Sequence, residues 1–262
     1  MPAVIAIAPV APLFAQPSVR AEQSNQLVLG ETGSQMDRQG DWLRICTHQD
    51  EYDGWMHSGY VKVVEDEVAA AWRAEAQGWS EGILVQAAGW HLSLPLRARI
   101  GLEQGTVVLP DGRKGHAANG QPRVLSEVVS AARRTPPERW AAEYFLGASY
   151  QWGGVTPWGV DCSGLVQTTF AARGVKLPRD AAQQVKLGDP VPSTNIRAGD
   201  LLYFSSESGS GAITHVAFAG DGETLVHSTL ACGGVVIESR LPGSRAAPLM
   251  QRLNAIRRLE VR

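Results

Sequence analysis

The stretch that decides the fold of the C-terminal half begins Asp161-Cys162-Ser163-Gly164-Leu165-Val166 and runs on to Gly174. Asp161 is a suitable N-cap, because a short carboxylate accepts from the unpaired amides of a first turn. Gly174 suits the position just past a helix C-terminus. Apolar side chains recur at helical spacing between these two residues. The stretch therefore predicts a helix with Cys162 in its first turn.

Cys162 in that position predicts a reactive thiol. The partial positive charge at a helix N-terminus favours a thiolate, so we expect a pKa below the value of about 8.5 for a free cysteine. Unpaired amides in the same turn can also stabilise an oxyanion during acyl transfer. A small buried cysteine with a packing role is the alternative.

A thiol nucleophile needs a base, and two of the six histidines stand on adjacent apolar segments. Gly and Asp residues between His215 and His227 predict a β-hairpin. An odd loop centred near Asp221, with Gly222 in a left-handed conformation, would place the two imidazoles directly opposite each other. A two-residue turn would place them on opposite faces of the sheet.

Composition excludes several classes of protein. The 262 residues carry 24 basic and 26 acidic side chains, a balance that argues against a nucleic-acid partner. The three cysteines, Cys46, Cys162 and Cys232, contain no Cys-x-x-Cys pair, which argues against a disulfide scaffold or a zinc knuckle. Cys232 and nearby histidines could form a metal site, but no further ligand stands at a suitable spacing. We therefore expect no metal and no cofactor. The sequence contains no apolar run of about 18 residues, so it predicts no membrane-spanning helix.

Four segments are expected along the chain. Residues 1–66 contain short alternating stretches separated by turn residues, as in a small β-barrel. Residues 67–128 predict a second, degenerate barrel. The charged and proline-rich residues 129–137 predict a linker. Residues 138–262 alternate helix and strand signals, which predicts an α+β domain.

Turn motifs in the first segment resemble a bacterial SH3 domain: Leu29-Gly30-Glu31, Gly40-Asp41-Trp42 and Asp53-Gly54-Trp55. Five motifs in order then resemble the NlpC/P60 cysteine peptidases: Tyr150-Gln151-Trp152-Gly153-Gly154, Asp161-Cys162-Ser163-Gly164, Leu177-Pro178-Arg179-Asp180, Ala198-Gly199-Asp200-Leu201, and Thr214-His215-Val216-Ala217 to Val226-His227-Ser228. The second resemblance covers about residues 138 to 260. It implies a papain-like NlpC/P60 domain, preceded here by two SH3-like barrels.

With SH3-like modules in front, the chain is similar to the γ-D-glutamyl-L-diamino acid endopeptidases of dipeptidyl-peptidase VI type. The resemblance implies Cys162 as nucleophile, His215 as general base and then acid, and His227 as the residue that orients His215. Attack on the γ-linked carbonyl of D-Glu would give a thioester that water releases. The expected partners are murein stem peptides with the sequence L-Ala-γ-D-Glu-diamino acid, and a monomer is assumed.

A second group of residues is expected to bind substrate. In relatives of this architecture the first SH3 module closes the cleft, which then admits only a short stem peptide with a free N-terminal L-Ala. A free ammonium needs an acidic partner. The candidates are Glu31 and Tyr60 from the first module, with Asp180 from the catalytic domain. An exposed and solvated Glu31 is the alternative.

Residues near the thiol have two interpretations each. Tyr150 falls where the family keeps a tyrosine beside the nucleophile, and it is either a hydrogen-bond donor to substrate or a core aromatic. Asp161 and Ser163 either cap the helix or contact substrate, and both roles are compatible. Ala181 stands where relatives often carry a serine, which leaves the exact peptide specificity open.

Three functions follow as hypotheses. The favoured one is a cysteine endopeptidase of wall recycling. The second is a papain-like muramoyl-alanine amidase whose SH3 modules bind the wall. The third is a wall-binding protein with an inert catalytic half, and the presence of Cys162, His215 and His227 argues against it.

The N-terminal residues bear on the compartment. No Lys or Arg precedes Arg20, and Pro9 and Pro12 interrupt the apolar stretch, so the pattern is not that of a secretion signal. We therefore expect a cytoplasmic protein. A periplasmic or secreted protein whose signal was removed is the alternative.

Overall fold

A computed structural model describes residues 2–206 and 211–260. The chain divides into two compact units, Met1–Val128 (unit 1) and Val129–Arg262 (unit 2). The longest helix among the described residues has 11 residues, and none there is long and apolar enough to cross a membrane.

Unit 1 opens with seven short strands joined by turns and short loops. They are β1 (Pro2–Ala6), β2 (Val10–Phe14), β3 (Gln23–Val28), β4 (Thr32–Gln39), β5 (Trp42–Thr47), β6 (Asp53–His57) and, after a 3-10 turn at Ser58–Tyr60, β7 (Val61–Glu65). They form one sheet in the order β3-β2-β6-β5-β4-β1-β7. Side chains alternate along β5, where Leu43 and Ile45 are buried and Arg44 is exposed. Leu13 and Met56 join them in one apolar core.

The rest of unit 1 is a second, smaller sheet between two helices. Its elements are α1 (Asp66–Glu75), β8 (Gly78–Ala87), β9 (Trp90–Glu103), β10 (Thr106–Val108), β11 (Lys114–Asn119), β12 (Arg123–Val124) and the first residues of α2 (Leu125–Arg134), a helix that runs past Val128 into unit 2. Strands β8 to β11 pair in sequence, and β11 also pairs with β8, so these four strands form a small closed barrel.

Helix α1 occupies the alanine-rich start of the predicted second barrel. Alanine has the highest helix propensity, and that preference decides the structure here. Ala69 packs against the side chains of Ala3 and Ile5 on β1. The Trp72 indole N–H donates to the main-chain oxygen of Gly30 at 2.8 Å.

Most of the predicted linker is helical, because residues 129–134 belong to α2. The Arg173 guanidinium donates to the main-chain oxygens of Ala132 and Thr135, which holds the end of this helix in unit 2. The bounds of the four predicted domains stay a prediction.

Unit 2 has an antiparallel sheet with helices around it. Its elements are α3 (Pro137–Phe145), β13 (Val155–Thr156), β14 (Gly159–Val160), α4 (Cys162–Ala172), α5 (Ala181–Gln184), β15 (Asp189–Pro190), β16 (Leu201–Ser205), β17 (Ile213–Ala219), β18 (Thr224–Thr229), β19 (Gly234–Ser239), α6 (Ala247–Met250) and β20 (Leu253–Arg258). Strands pair in the order β15-β20-β16-β17-β18-β19. Phe170 of α4 stacks on Phe218 of β17 with ring centroids 6.3 Å apart. This packing places α4 against β17. The antiparallel sheet with helices around it confirms the α+β class of this half.

Candidate active site

Helix α4 begins and ends as the sequence predicts. Asp161 is its N-cap in an extended conformation, and its Oδ1 accepts from the Gly164 N–H at 2.8 Å. The other carboxylate oxygen accepts from the Gly153 N–H at 2.8 Å. Gly174 follows the helix with a φ of 74°, the left-handed conformation that favours glycine. Cys162 is therefore the first residue of the helix.

Arg179 is a residue of this site that sequence analysis missed. Its side chain is 1% exposed, and its guanidinium contacts both Asp161 oxygens, at 2.5 and 3.0 Å. It also donates to the Ser163 hydroxyl at 2.8 Å. Asp161 and Ser163 are thus engaged in holding the helix start. The only sequence signal was the position of Arg179 in the Leu177–Asp180 motif, since its burial becomes visible only in the structure.

The Cys162 thiol is buried next to the first base candidate. Its sulfur accepts from the main-chain N–H groups of Ser163 and of Val216, the residue after His215. Burial raises the pKa of this thiol to about 12, and the negative charge of Asp161 acts in the same direction. The prediction of a lowered pKa is wrong, because loss of hydration outweighs the helix N-terminus and the two amide donors.

His215 and His227 lie on the β17–β18 hairpin, and their side chains meet. Phe218 pairs with Val226 and Ala219 with Leu225, so the odd loop is centred on Gly222, with a φ of 63°. An odd loop and a left-handed Gly222 are as predicted. Because the centre lies one residue later than expected, the imidazoles are diagonal neighbours on one face, and the prediction that they lie directly opposite is wrong.

The two imidazoles are joined by a hydrogen bond of 2.8 Å between His215 Nε2 and His227 Nδ1. Burial lowers the pKa of His215 to about 3, and the charges of His227 and two arginines act in the same direction. Burial, with Arg245 nearby, lowers the pKa of His227 to about 4. At neutral pH both rings are uncharged beside a protonated thiol. A neutral imidazole has a lone pair that can accept a proton, as a general base requires.

Glu238 extends this hydrogen-bond chain, and sequence analysis missed it as well. The His227 Nε2 lies 2.6 Å from Glu238 Oε1, and the same oxygen contacts the Arg245 guanidinium. The link depends on how β18 pairs with β19, for which the sequence contains no motif.

Tyr150 lies beside the thiol. Burial raises the pKa of its phenol to about 12, and the charges of Cys162 and Asp161 act in the same direction. The hydroxyl is therefore a hydrogen-bond donor at neutral pH. Asp180 is half-buried and precedes α5, whose first residue, Ala181, is 7% exposed.

Glu31 and Tyr60, the two residues of unit 1 that are predicted to bind substrate, contact other residues of unit 1. Glu31 is 9% exposed, and its Oε1 lies 2.6 Å from Arg97 Nε. Its Oε2 accepts from the Val28 N–H at 2.9 Å and from the Gln49 amide at 2.8 Å. The alternative of a solvated Glu31 is wrong, since it forms a buried ion pair. Tyr60 is half-buried and packs against the core of the first sheet.

A cavity of about 300 Å³ lies beside the histidine pair, lined among others by both imidazoles, Glu238, Arg245 and Arg252. Within residues 2–206 and 211–260, no three His, Cys, Asp or Glu side chains are grouped so that they could hold a metal ion.

Comparison with known proteins finds similarity to one family. Residues 147–248 match the model of the NlpC/P60 family. A gamma-D-glutamyl-L-lysine dipeptidyl-peptidase of Bacillus cereus is 26% identical over 240 residues, 83% of this chain and 71% of that protein. The protein of the same name from Bacillus subtilis is 47% identical over 85 residues, 32% of this chain and only 29% of that protein.

A solved structure of an NlpC/P60 family protein from Bacillus cereus matches over 98% of this chain and 99% of that one, with a TM-score of 0.78 and 19% identity. At this identity the likeness shows the fold, which is that of NlpC/P60 proteins. The match to the NlpC/P60 family model covers residues 147–248 of this chain, and the two Bacillus relatives are named as peptidases.

Proposed function

We propose that this protein is a cysteine endopeptidase that hydrolyses the γ-D-Glu–L-diamino acid bond of murein peptides with a free N-terminal L-Ala. The main support is the contact of the Cys162 sulfur with the Val216 N–H, next to a His215 ring that is itself bonded to His227 at 2.8 Å. The names of the two Bacillus dipeptidyl-peptidases support the choice of bond.

In the proposed acylation, His215 takes the thiol proton as the Cys162 sulfur attacks the γ-carbonyl carbon of D-Glu. The tetrahedral oxyanion is stabilised by hydrogen-bond donors, among which the Tyr150 hydroxyl is the candidate. The C–N bond breaks as His215 gives its proton to the leaving amine of the diamino acid. The products are a free diamino acid residue and a thioester on Cys162.

Deacylation repeats this sequence with water as the nucleophile and the Cys162 sulfur as the leaving group. A water molecule loses a proton to His215 as its oxygen attacks the thioester carbonyl carbon. The C–S bond breaks and His215 returns the proton to the sulfur, which releases L-Ala-γ-D-Glu. His227 keeps the His215 ring in position in both half-reactions.

Unit 1 is proposed to contribute two SH3-like modules, residues 1–66 and 67–128, before a linker at 129–137 and the catalytic domain at 138–262. Glu31, Tyr60 and Asp180 are the proposed contacts of the substrate ammonium. Both carboxylate oxygens of Glu31 already accept from groups of unit 1, namely Arg97, the Val28 N–H and the Gln49 amide. A bound ammonium would therefore have to share one of these oxygens with an existing donor. Asp180 belongs to the unit that carries the thiol. A cytoplasmic location stays a prediction.

The test compares three substrates: the free L-Ala-γ-D-Glu-diamino acid tripeptide, its N-acetylated form and intact peptidoglycan. We expect the protein to cleave only the free tripeptide, and we expect Cys162→Ala to lose this activity. The matched control is Cys232→Ala, which removes an exposed cysteine and should retain activity. Equal cleavage of the acetylated peptide would contradict recognition of the ammonium. Release of stem peptides from intact peptidoglycan, with none from the tripeptide, would favour the amidase alternative.

A further inference from the structure

We propose that Glu238 is a positioning residue that sets the proton arrangement of the histidine pair, and so keeps a lone pair of His215 available to the Cys162 thiol. The proposal deepens the proposed function and rests on it. Neither the motifs quoted above nor the expected triad includes this glutamate.

The geometry is a continuous chain of short contacts. His215 Nε2 lies 2.8 Å from His227 Nδ1, and His227 Nε2 lies 2.6 Å from Glu238 Oε1. The His227 side chain is 1% exposed and the Glu238 side chain 14% exposed. Both ring nitrogens of His227 are thus held by protein groups.

Strand pairing explains why Glu238 reaches His227. On β18 and β19, His227 pairs with Val236 and Leu225 pairs with Glu238. His227 and Glu238 are therefore diagonal neighbours, and residues with this spacing face the same side of a sheet. The same diagonal relation joins His215 to His227 across β17 and β18. Three adjacent strands thus contribute one residue each to the chain.

Each proton position follows from the carboxylate. An ionised Glu238 only accepts hydrogen bonds, so His227 Nε2 must carry the proton between them. A neutral imidazole has one N–H, so His227 Nδ1 is then an acceptor. His215 must donate to it from Nε2, which leaves the lone pair on His215 Nδ1. That nitrogen can accept the thiol proton.

Without Glu238 the two imidazoles could equally well adopt the opposite pair of tautomers. His227 could carry its proton on Nδ1 and donate it to His215 Nε2. His215 would then hold its own proton on Nδ1, and the ring would present a donor where the reaction needs a base. Glu238 selects against this arrangement.

Charged groups of both signs lie around the two rings. Arg245 contacts the same Glu238 oxygen that faces His227, which compensates the partly buried carboxylate. The other charged groups that act on His215 are Arg252 and the Asp161 carboxylate. Glu238 is the anion in direct contact with the pair, and it stabilises the positive charge that forms when His215 takes the thiol proton.

The experiment uses Glu238→Ala, which removes the acceptor, and Glu238→Gln, which retains an acceptor oxygen and loses the charge. We expect kcat for the tripeptide to fall by at least about tenfold in Glu238→Ala with KM little changed. In Glu238→Gln the limb of the pH–rate profile that reports the histidine pair should move to lower pH, because the imidazolium loses a nearby anion. A packing role alone would not move that limb.

A second readout needs no substrate. Nitrogen-15 NMR shifts of the imidazoles should show Nε2–H on both His215 and His227 in the wild type, and an added Nδ1–H population in Glu238→Ala. The matched control is Glu223→Ala, which breaks the Arg240–Glu223 ion pair of 2.8 Å at a half-exposed position in the same unit. It should leave both readouts unchanged.

Unchanged tautomers in Glu238→Ala, or a kcat within about twofold of wild type, would overturn the proposal. The NMR result stands even if the tripeptide is not a substrate, so failure of this inference and failure of the proposed function are distinguishable.

Discussion

Replacing Arg179 by methionine tests what holds the start of the catalytic helix. Methionine is shorter than arginine but unbranched and of comparable volume, so Arg179→Met removes the charge and the donors with little change in volume. It leaves the Asp161 carboxylate without the guanidinium that contacts both of its oxygens. The Ser163 hydroxyl loses a donor in the same change.

The size of the effect follows from burial. Removing one partner of a buried ion pair costs about 3–5 kcal/mol, because the remaining charge stays out of water. Asp161 keeps the main-chain donors of Gly153 and Gly164, so we expect the lower end, about 3 kcal/mol. In a unit of this size that corresponds to a fall in melting temperature on the order of 10 °C.

The assay is urea and thermal unfolding of the full chain, followed by a signal from unit 2. Arg139→Met is the matched control, because Arg139 pairs with Asp221 at 2.9 Å in the same unit but with both side chains more than 60% exposed. An exposed pair contributes about 0–1 kcal/mol. Equal losses of stability in the two variants would refute the view that Arg179 anchors the helix start.

Further predictions concern unit 1, the helix and the thiol. Glu31→Ala should destabilise unit 1 by about 3–5 kcal/mol, since it removes one member of the buried Arg97–Glu31 ion pair, and a loss below about 1 kcal/mol in urea unfolding would contradict this. Gly164→Ala should destabilise unit 2 by at least about 1–3 kcal/mol, because the new Cβ would lie 2.1 Å from the Gly154 carbonyl oxygen; wild-type stability would count against the packing described. The rate at which iodoacetamide alkylates Cys162, followed by peptide mass spectrometry, should still increase above about pH 9. The thiol pKa is raised to about 12, so the reactive thiolate forms only as the pH rises. A rate that is constant from neutral pH upward would indicate a thiolate at rest and contradict this.

Local signals were sufficient to predict the elements that carry the proposed triad. Asp161 and Gly174 mark the two ends of α4 because capping depends on residues within one turn. The glycines and Asp221 predict the hairpin for the same reason, although the exact centre of its loop depends on the pairing of the whole strands.

Features that depend on tertiary structure were missed or wrong. The thiol pKa is set by burial of Cys162, which the sequence does not display. Arg179 and Glu238 act through contacts 18 and 11 residues away along the chain. The residue type and local sequence of Glu31 suggest a solvated turn residue. Its carboxylate nevertheless forms an ion pair with Arg97, which lies on a strand 66 residues later.

The most direct test of the central claim is mass spectrometry of the intact protein, quenched in acid during turnover of the L-Ala-γ-D-Glu-diamino acid tripeptide. We predict a covalent L-Ala-γ-D-Glu acyl group on Cys162 in the wild type and its absence in Cys162→Ala. Acyl transfer to another residue, or hydrolysis that persists in Cys162→Ala, would contradict the assignment of Cys162 as the nucleophile.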